Sequence, residues 1–198
     1  MVGSIVLTGG PGAGKTRILS IASARWARRV VAVPEAATQV YRQLRTRWSE
    51  LDDDGRRDVQ RRIYALQIEQ ERRLRELHPD RVLLLDRGTL DGAAYWPDGP
   101  EDYWRALGTS LQAELARYDA VIELQSCAAL GAYDGSASNP WRSEQSSGAI
   151  ALDERLRGLW RGHRNYHEIG ACADFSKKLA AALALIEGWI GPAAAGKE

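Results

Sequence analysis

Gly9-Gly10-Pro11-Gly12-Ala13-Gly14-Lys15-Thr16 follows directly on the apolar run Ser4-Ile5-Val6-Leu7-Thr8. These eight residues satisfy the phosphate-binding pattern G-x-x-x-x-G-K-[ST] in full. A loop of this kind turns successive backbone N–H groups inward, making a nest that fits a polyphosphate. Its glycines admit backbone conformations that a Cβ forbids. Lys15 can set a point charge on the outer phosphates, and the Thr16 hydroxyl can ligate Mg²⁺. The nucleotide-contacting set read from this stretch is Gly10, Pro11, Gly12, Ala13, Gly14, Lys15, Thr16 and Arg17. With average residue usage, a chance match in a chain of 198 residues has odds on the order of 1%. A glycine-rich turn without a ligand is therefore the weaker reading.

Outward from the loop, β-like runs alternate with helix-like ones. The strands read as Ser4–Thr8, Val30–Val33, Val82–Leu85, Ala120–Leu124 and Tyr166–Ile169. All but the last are nearly continuous apolar runs, as expected of strands covered on both faces of a parallel sheet. The helices read as Lys15–Arg28, Glu35–Arg47, Leu51–Leu77, Glu101–Tyr118, Leu152–Arg161 and Ser176–Ile190. This alternation predicts βαβ units and a doubly wound α/β fold. In the longest helix, Val59, Ile63, Leu66, Leu74 and Leu77 fall at helical spacing, with Pro79 just beyond. Its many arginines are interleaved with acids, which predicts a solvated face and not a nucleic-acid patch. Residues 125–148 are rich in glycine and serine without a clear period, and read as a lid-like insertion. Residues 1–190 then form one domain and 191–198 a frayed tail.

The bulk composition narrows the class. Hydrophobic residues make up 44%, charged residues 27%, and the formal net charge is +1, so no field tuned for nucleic acid is expected. Cys127 and Cys172 lack metal-like neighbours and are expected as buried small hydrophobes in a reducing compartment. The N-terminus has neither the basic region nor the apolar core of a secretory signal. The longest apolar stretch, Leu179 to Ile186, is too short to span a bilayer. The expectation is a cytoplasmic protein with no membrane partner. Its oligomeric state is not legible.

Three further stretches can carry chemistry. In Arg81-Val82-Leu83-Leu84-Leu85-Asp86-Arg87-Gly88, an apolar strand ends in a carboxylate at the edge where a nucleotide site lies. Asp86 can hold Mg²⁺ there or accept a proton; capping the next turn is the plainer alternative. Arg87 reads either as an anion binder or as an ordinary ion pair. Glu35, in Val33-Pro34-Glu35-Ala36-Ala37, suits the positive start of a helix, or faces an acceptor hydroxyl as its base. Arg142, in Asn139-Pro140-Trp141-Arg142-Ser143-Glu144, can bring charge to a migrating phosphoryl group. Trp96 and Trp141 read as packing residues before base-stacking ones. His78, His163 and His167 lack ligand spacing.

Two nucleotide-fold readings are excluded. A dinucleotide fingerprint G-x-G-x-x-G fails because Gly10-Pro11-Gly12 is followed at the last required position by Lys15. A GTP switch needs an N-K-x-D base reader, which the sequence lacks.

Taken in order, TGGPGAGKT, VPEAA, LLLDRG and YDAVIEL resemble the NadR-like AAA-type P-loop domains, a group that includes riboside-kinase-like and translocation-defect-protein-like nucleotide-binding domains. Asn139, Arg142 and Glu144, followed by Leu152-Asp153-Glu154-Arg155-Leu156, resemble that family's lid and post-lid helix. The similarity runs over roughly residues 3 to 190. It implies a three-layer fold whose five parallel strands take the order 2-3-1-4-5, with Asp86 beside the phosphate loop. It also implies ATP or GTP with Mg²⁺, and phosphoryl transfer to a nucleoside-like hydroxyl. On that reading Lys15, Asp86, Glu35 and Arg142 are catalytic, Thr16 and Asp86 hold the metal, and a small-molecule acceptor is the partner. A nucleotide-dependent switch or ATPase module acting on a partner protein is the alternative. The loop is the proline-containing form, unlike the serine-rich loop of riboside kinases. A hexameric motor is not expected.

Overall fold

The structure is a computed structural model that describes residues 3–126, 146–172 and 174–191, with 146–149 described for their backbone alone. Five parallel strands, β1 (Ser4–Thr8), β2 (Val30–Val33), β3 (Val82–Asp86), β4 (Ala120–Leu124) and β5 (Tyr166–Ile169), lie in the order β2-β3-β1-β4-β5. Strand β1 is central, with Ile5 opposite Leu84 on one side and Ala120 on the other. The chain builds outward from it first toward β2, then toward β5. Its carboxyl end is thus the point at which strand order reverses, where open α/β sheets place ligands.

Side-chain alternation assigns the two faces of the sheet. Ile5, Leu7, Leu84, Ile122 and Leu124 face α1 (Lys15–Arg25) and α8 (Phe175–Ile190), where Ile18, Ala22, Ala182 and Ile186 complete one core. Val6, Leu83, Leu85 and Val121 face the other way, onto Leu90, Trp96, Tyr103, Tyr118 and Trp160. Both cores need apolar residues at consecutive strand positions, which is why β1, β3 and β4 carry unbroken apolar runs. Strand β5 is an edge strand and is only half-buried, so its sequence alternates more.

Helix α2 (Ala36–Leu44) and the long α3 (Asp53–Leu77) form a flank beyond β2 and β3, joined through Ala37, Val40, Tyr41 and Val59. Asp52 caps α3 by accepting from the Gly55 N–H at 2.8 Å. On its outer side Arg62 pairs with Asp58, and Arg72 with Glu69 and Glu76. The solvated face expected from the charge pattern is present, and such exposed pairs contribute about 0–1 kcal/mol each.

Several boundaries differ from the sequence reading. The expected Glu101–Tyr118 helix is two helices, α5 (Pro100–Leu107) and α6 (Leu111–Leu115), preceded by a short α4 (Asp91–Ala94). Gly108 ends α5 with φ +66°, and Ser110 starts α6 by accepting from the Ala113 N–H. Helix α7 (Ser146–Trp160) begins six residues before the expected Leu152. Its Ser-Ser-Gly start has weak helix propensity, which the buried Leu152, Leu156 and Trp160 further along outweigh. The end of the lid expected at 125–148 is therefore helical, and residues 127–145 lie outside the described residues, as does the expected tail at 192–198. Helices α1 and α2 end at Arg25 and Leu44, short of the expected Arg28 and Arg47. Cys172 is half-buried, not buried.

Two glycines test how the fold depends on backbone. Gly9 leaves β1 with φ +124°, and a Cβ there would lie 2.0 Å from the Leu124 carbonyl oxygen. Gly108 also has positive φ, but nothing lies within 4 Å of a Cβ there. Gly108→Ala is expected to cost about 1 kcal/mol in urea denaturation, from backbone conformation alone. Gly9→Ala meets an immovable backbone oxygen and should cost several-fold more or prevent folding. Equal costs for the two would contradict the assignment of Gly9 to a close backbone approach.

Candidate functional site

The phosphate loop spans the gap between β1 and α1. Gly9, Gly12 and Gly14 all have positive φ, so the loop's curvature needs residues without a Cβ. Lys15 and Thr16 open α1, where unpaired N–H groups and the helix dipole favour an anion. The Lys15 ammonium curls back to donate to the Gly9 and Gly10 carbonyls at 2.7 and 2.8 Å. Burial, aided by the nearby Arg87 guanidinium, lowers its pKa from 10.5 to about 7. Arg17 lies one turn on, its guanidinium 4.6 Å over the ring of Phe175 at the start of α8. That ring also rests on Gly14.

Asp86, the last residue of β3, stands beside the loop. The Thr16 hydroxyl donates to Asp86 Oδ2 at 2.6 Å. The other oxygen, Oδ1, is buried and meets no hydrogen-bond partner among the described residues. Burial, reinforced by the Glu35 carboxylate, raises the proton affinity of Asp86. A hydroxyl beside a carboxylate with one free oxygen suits a hard cation that takes its remaining ligands from water and phosphate. Among the described residues no group of three or more His, Cys, Asp or Glu side chains is placed to hold a metal alone. These donors fit Mg²⁺ carried in with a nucleotide, and not a closed structural site.

Glu35 and Arg87 meet at the same edge. Glu35 occupies the N-cap position of α2, yet its side chain makes no capping bond to the helix. It accepts from Arg87 Nε at 2.8 Å and from the Thr38 hydroxyl at 2.5 Å. Arg87 is buried, and its φ of +77° is unusual for a side-chain-bearing residue. Such a conformation costs about 1–3 kcal/mol and persists where surrounding contacts impose it. Those contacts centre on Asp91, which the sequence reading missed. Asp91 Oδ2 accepts from Arg87 at 2.8 Å; Oδ1 accepts from the Thr8 hydroxyl at 2.9 Å and the Trp160 indole at 2.7 Å. The four-residue spacing from Arg87 to Asp91 was the available signal.

Beside this pair lies a cavity of about 30 Å³, bordered by Glu35, Arg87, Asp91, Gln60, Tyr64 and Tyr95. Gln60, on α3, is buried at the edge of this cavity. The structure thus brings Lys15, Thr16, Asp86, Glu35 and Arg87 to one sheet edge. Arg142, with Asn139, Trp141 and Glu144, lies outside the described residues. Trp96 is a core residue, edge-on to Tyr103 and donating to Asp102. His163 is buried and structural, bonded to the Tyr118 carbonyl and the Asn165 N–H.

The lowered Lys15 pKa has a signed consequence. Between pH 7 and 10.5 the unfolded chain holds a proton at Lys15 that the folded chain has released, so this group makes stability rise with pH across that window. The stability difference between wild type and Lys15→Met isolates the group. Lys15→Met should be the more stable protein near pH 6.5, and its advantage should shrink by up to about 4 kcal/mol by pH 10. Urea denaturation at several pH values measures it; a difference independent of pH would contradict the burial of the charge.

Known proteins bear on this arrangement in three ways. No curated protein matches the sequence. Among solved structures, a deoxyadenosine kinase from M. mycoides, described with the products dCMP and a flexible dCDP bound, superposes with a TM-score of 0.65 at 14% identity. The match covers 93% of this chain and 99% of that one, so the two share a kinase-like P-loop fold. A sequence model of the AAA domain family matches residues 4–173, and the chain belongs to that family of P-loop proteins.

Proposed function

We propose that this protein is a phosphotransferase that binds ATP with Mg²⁺ and passes the γ-phosphoryl group to a hydroxyl of a small, nucleoside-like acceptor. The observation that carries the reading is the Glu35–Arg87 pair at 2.8 Å, bordering a small cavity that Gln60, Tyr64, Asp91 and Tyr95 also line. The charge of Glu35 acts on both Lys15 and Asp86, which supports a role for the carboxylate near the phosphate end of the site. The fold shared with deoxyadenosine kinase supports a nucleoside-like acceptor. GTP is the other donor that the sequence leaves open.

In this reading the loop amides and Lys15 hold the phosphates, and Thr16 and Asp86 hold the cation. Bound magnesium would neutralise charge on the phosphate oxygens. Arg87 orients Glu35 toward the acceptor hydroxyl. Glu35 takes the hydroxyl proton as the oxygen attacks phosphorus, and the bond to the β–γ bridging oxygen breaks, leaving ADP with the electron pair. Gln60 offers an amide donor and acceptor to the acceptor's polar edge. The kinase reading is preferred to a switch acting on a protein partner because Glu35, Arg87 and Gln60 gather around one cavity, as an acceptor pocket would need.

Screening nucleosides, riboside cofactor precursors and sugars for ADP release with Mg-ATP tests the proposal. At least one class should raise turnover well above slow hydrolysis. With that acceptor, Glu35→Gln should lower kcat by about 10²–10⁴-fold while leaving Mg-ATP affinity nearly unchanged. If no acceptor stimulates ADP release, the kinase reading is wrong.

A further inference from the structure

Asp153 sits in the middle of α7, 143 residues from the phosphate loop in sequence, and is buried. Aspartate is a poor helix-interior residue, and a buried carboxylate is costly unless donors surround it. Neither donor it has found belongs to its own helix. The Gly10 N–H donates to Asp153 Oδ1 at 2.6 Å, and the Ser126 N–H to Oδ2 at 3.3 Å. Ser126 in turn donates its hydroxyl to the Pro11 carbonyl at 2.8 Å. The N–H of Gly10 and the C=O of Pro11 are therefore both held, one by α7 and one by the segment just beyond β4. A Cβ on Gly10 would lie 2.8 Å from Asp153 Oδ1, so this approach also requires the glycine. One turn along α7, Arg157 lies 3.7 Å from Asp153 and 3.4 Å from the buried Glu123, keeping both carboxylates near a cation.

We propose that Asp153 is a positioning residue for the phosphate loop: through Gly10, and with Ser126 on Pro11, it fixes the first half of the loop so that the later amides are set for a polyphosphate. The inference rests on the reading of Gly9–Thr16 as a nucleotide-phosphate site, but not on any particular acceptor. A charge-assisted bond to a backbone amide is among the stronger single hydrogen bonds. Its loss should loosen the loop itself while α7 stays packed through Leu152, Leu156 and Trp160.

The test compares Asp153→Ala and Asp153→Asn with wild type by calorimetric titration with Mg-ADP and by hydrogen exchange without nucleotide. Asp153→Ala should weaken Mg-ADP by about tenfold and speed exchange of the amides from Gly10 to Gly14, with α8 unchanged. Asp153→Asn keeps an acceptor oxygen and should recover most of the affinity. If Asp153→Ala does not fold, Ser126→Ala removes the Pro11 contact without touching α7; a threefold to fivefold loss and faster loop exchange are expected. Variants that only lower Tm, leaving loop exchange and Mg-ADP affinity within twofold of wild type, overturn the assignment. Should wild type bind no Mg-ADP, the nucleotide reading fails, and ligand-free exchange alone still decides the role of Asp153. Absence of phosphoryl transfer to every acceptor would refute only the kinase.

Discussion

The buried Asp91 carboxylate ties the site together. It accepts from the end of β1 through Thr8, from the residue after β3 through Arg87, and from the last residue of α7 through Trp160. Three elements far apart in sequence are thereby fixed to one another at the carboxyl edge of the sheet. A buried carboxylate is costly, and three donors, one of them a guanidinium, offset that cost only while all are in place. Removing one donor would leave the others arranged around a charge they no longer balance. The arrangement thus contributes more to the positions of Arg87 and Glu35 than to net stability.

Around Asp91 the charges do not cancel. Glu35, Asp86 and Asp91 face Lys15 and Arg87, so the carboxylates outnumber the cations, yet burial and the Arg87 charge still leave Lys15 holding its proton weakly. The excess is concentrated at Asp86, whose burial and proximity to Glu35 raise its proton affinity. A protein selected for stability alone would not keep such a cluster in its interior. Departures of this kind from the usual rules of burial concentrate at functional sites. Arg87, with its left-handed backbone, is a second departure in the same few ångströms.

What could be read from the sequence was local. The five strands and the phosphate loop declare themselves in runs of a few residues, and all five strands lie where the pattern puts them, β3 running one residue further. Asp86 was legible because it ends an apolar strand, a position that topology carries to the phosphate edge. The break at Gly108 was missed because apolar residues continue through it, although Gly108 and Ser110 are the usual chemistry for ending one helix and capping the next. Asp91, Gln60 and Asp153 were not singled out. Their partners, or the cavity they border, are assembled from residues brought together only by the fold, as with Gly10 and Asp153. Arg87 was left between two readings because its sequence neighbours do not reveal Glu35, 52 residues away.

The cavity walls bear on selectivity. An apolar pocket discriminates between acceptors by roughly 1–3 kcal/mol per methylene, whereas buried groups built to hydrogen-bond reject a ligand that leaves them unpaired far more strongly. Glu35, Arg87 and Asp91 are already committed to one another, so an acceptor hydroxyl must be offered to Glu35 without breaking that network. Gln60, buried on α3, brings a side-chain amide with both a donor and an acceptor to the same cavity. A space of about 30 Å³ has room for only one or two waters. On the proposed reading an acceptor would meet the α3 flank on one side, and on the other a wall tied through Asp91 to β1, Arg87 and α7. Tyr64 on that flank is tied to Glu114 at 2.7 Å, whereas Gln60 and Ile63 also border the cavity. On the proposed reading the α3 residues at the cavity would meet the acceptor, while the residues at the strand ends, Glu35, Asp86 and Arg87, would serve the chemistry.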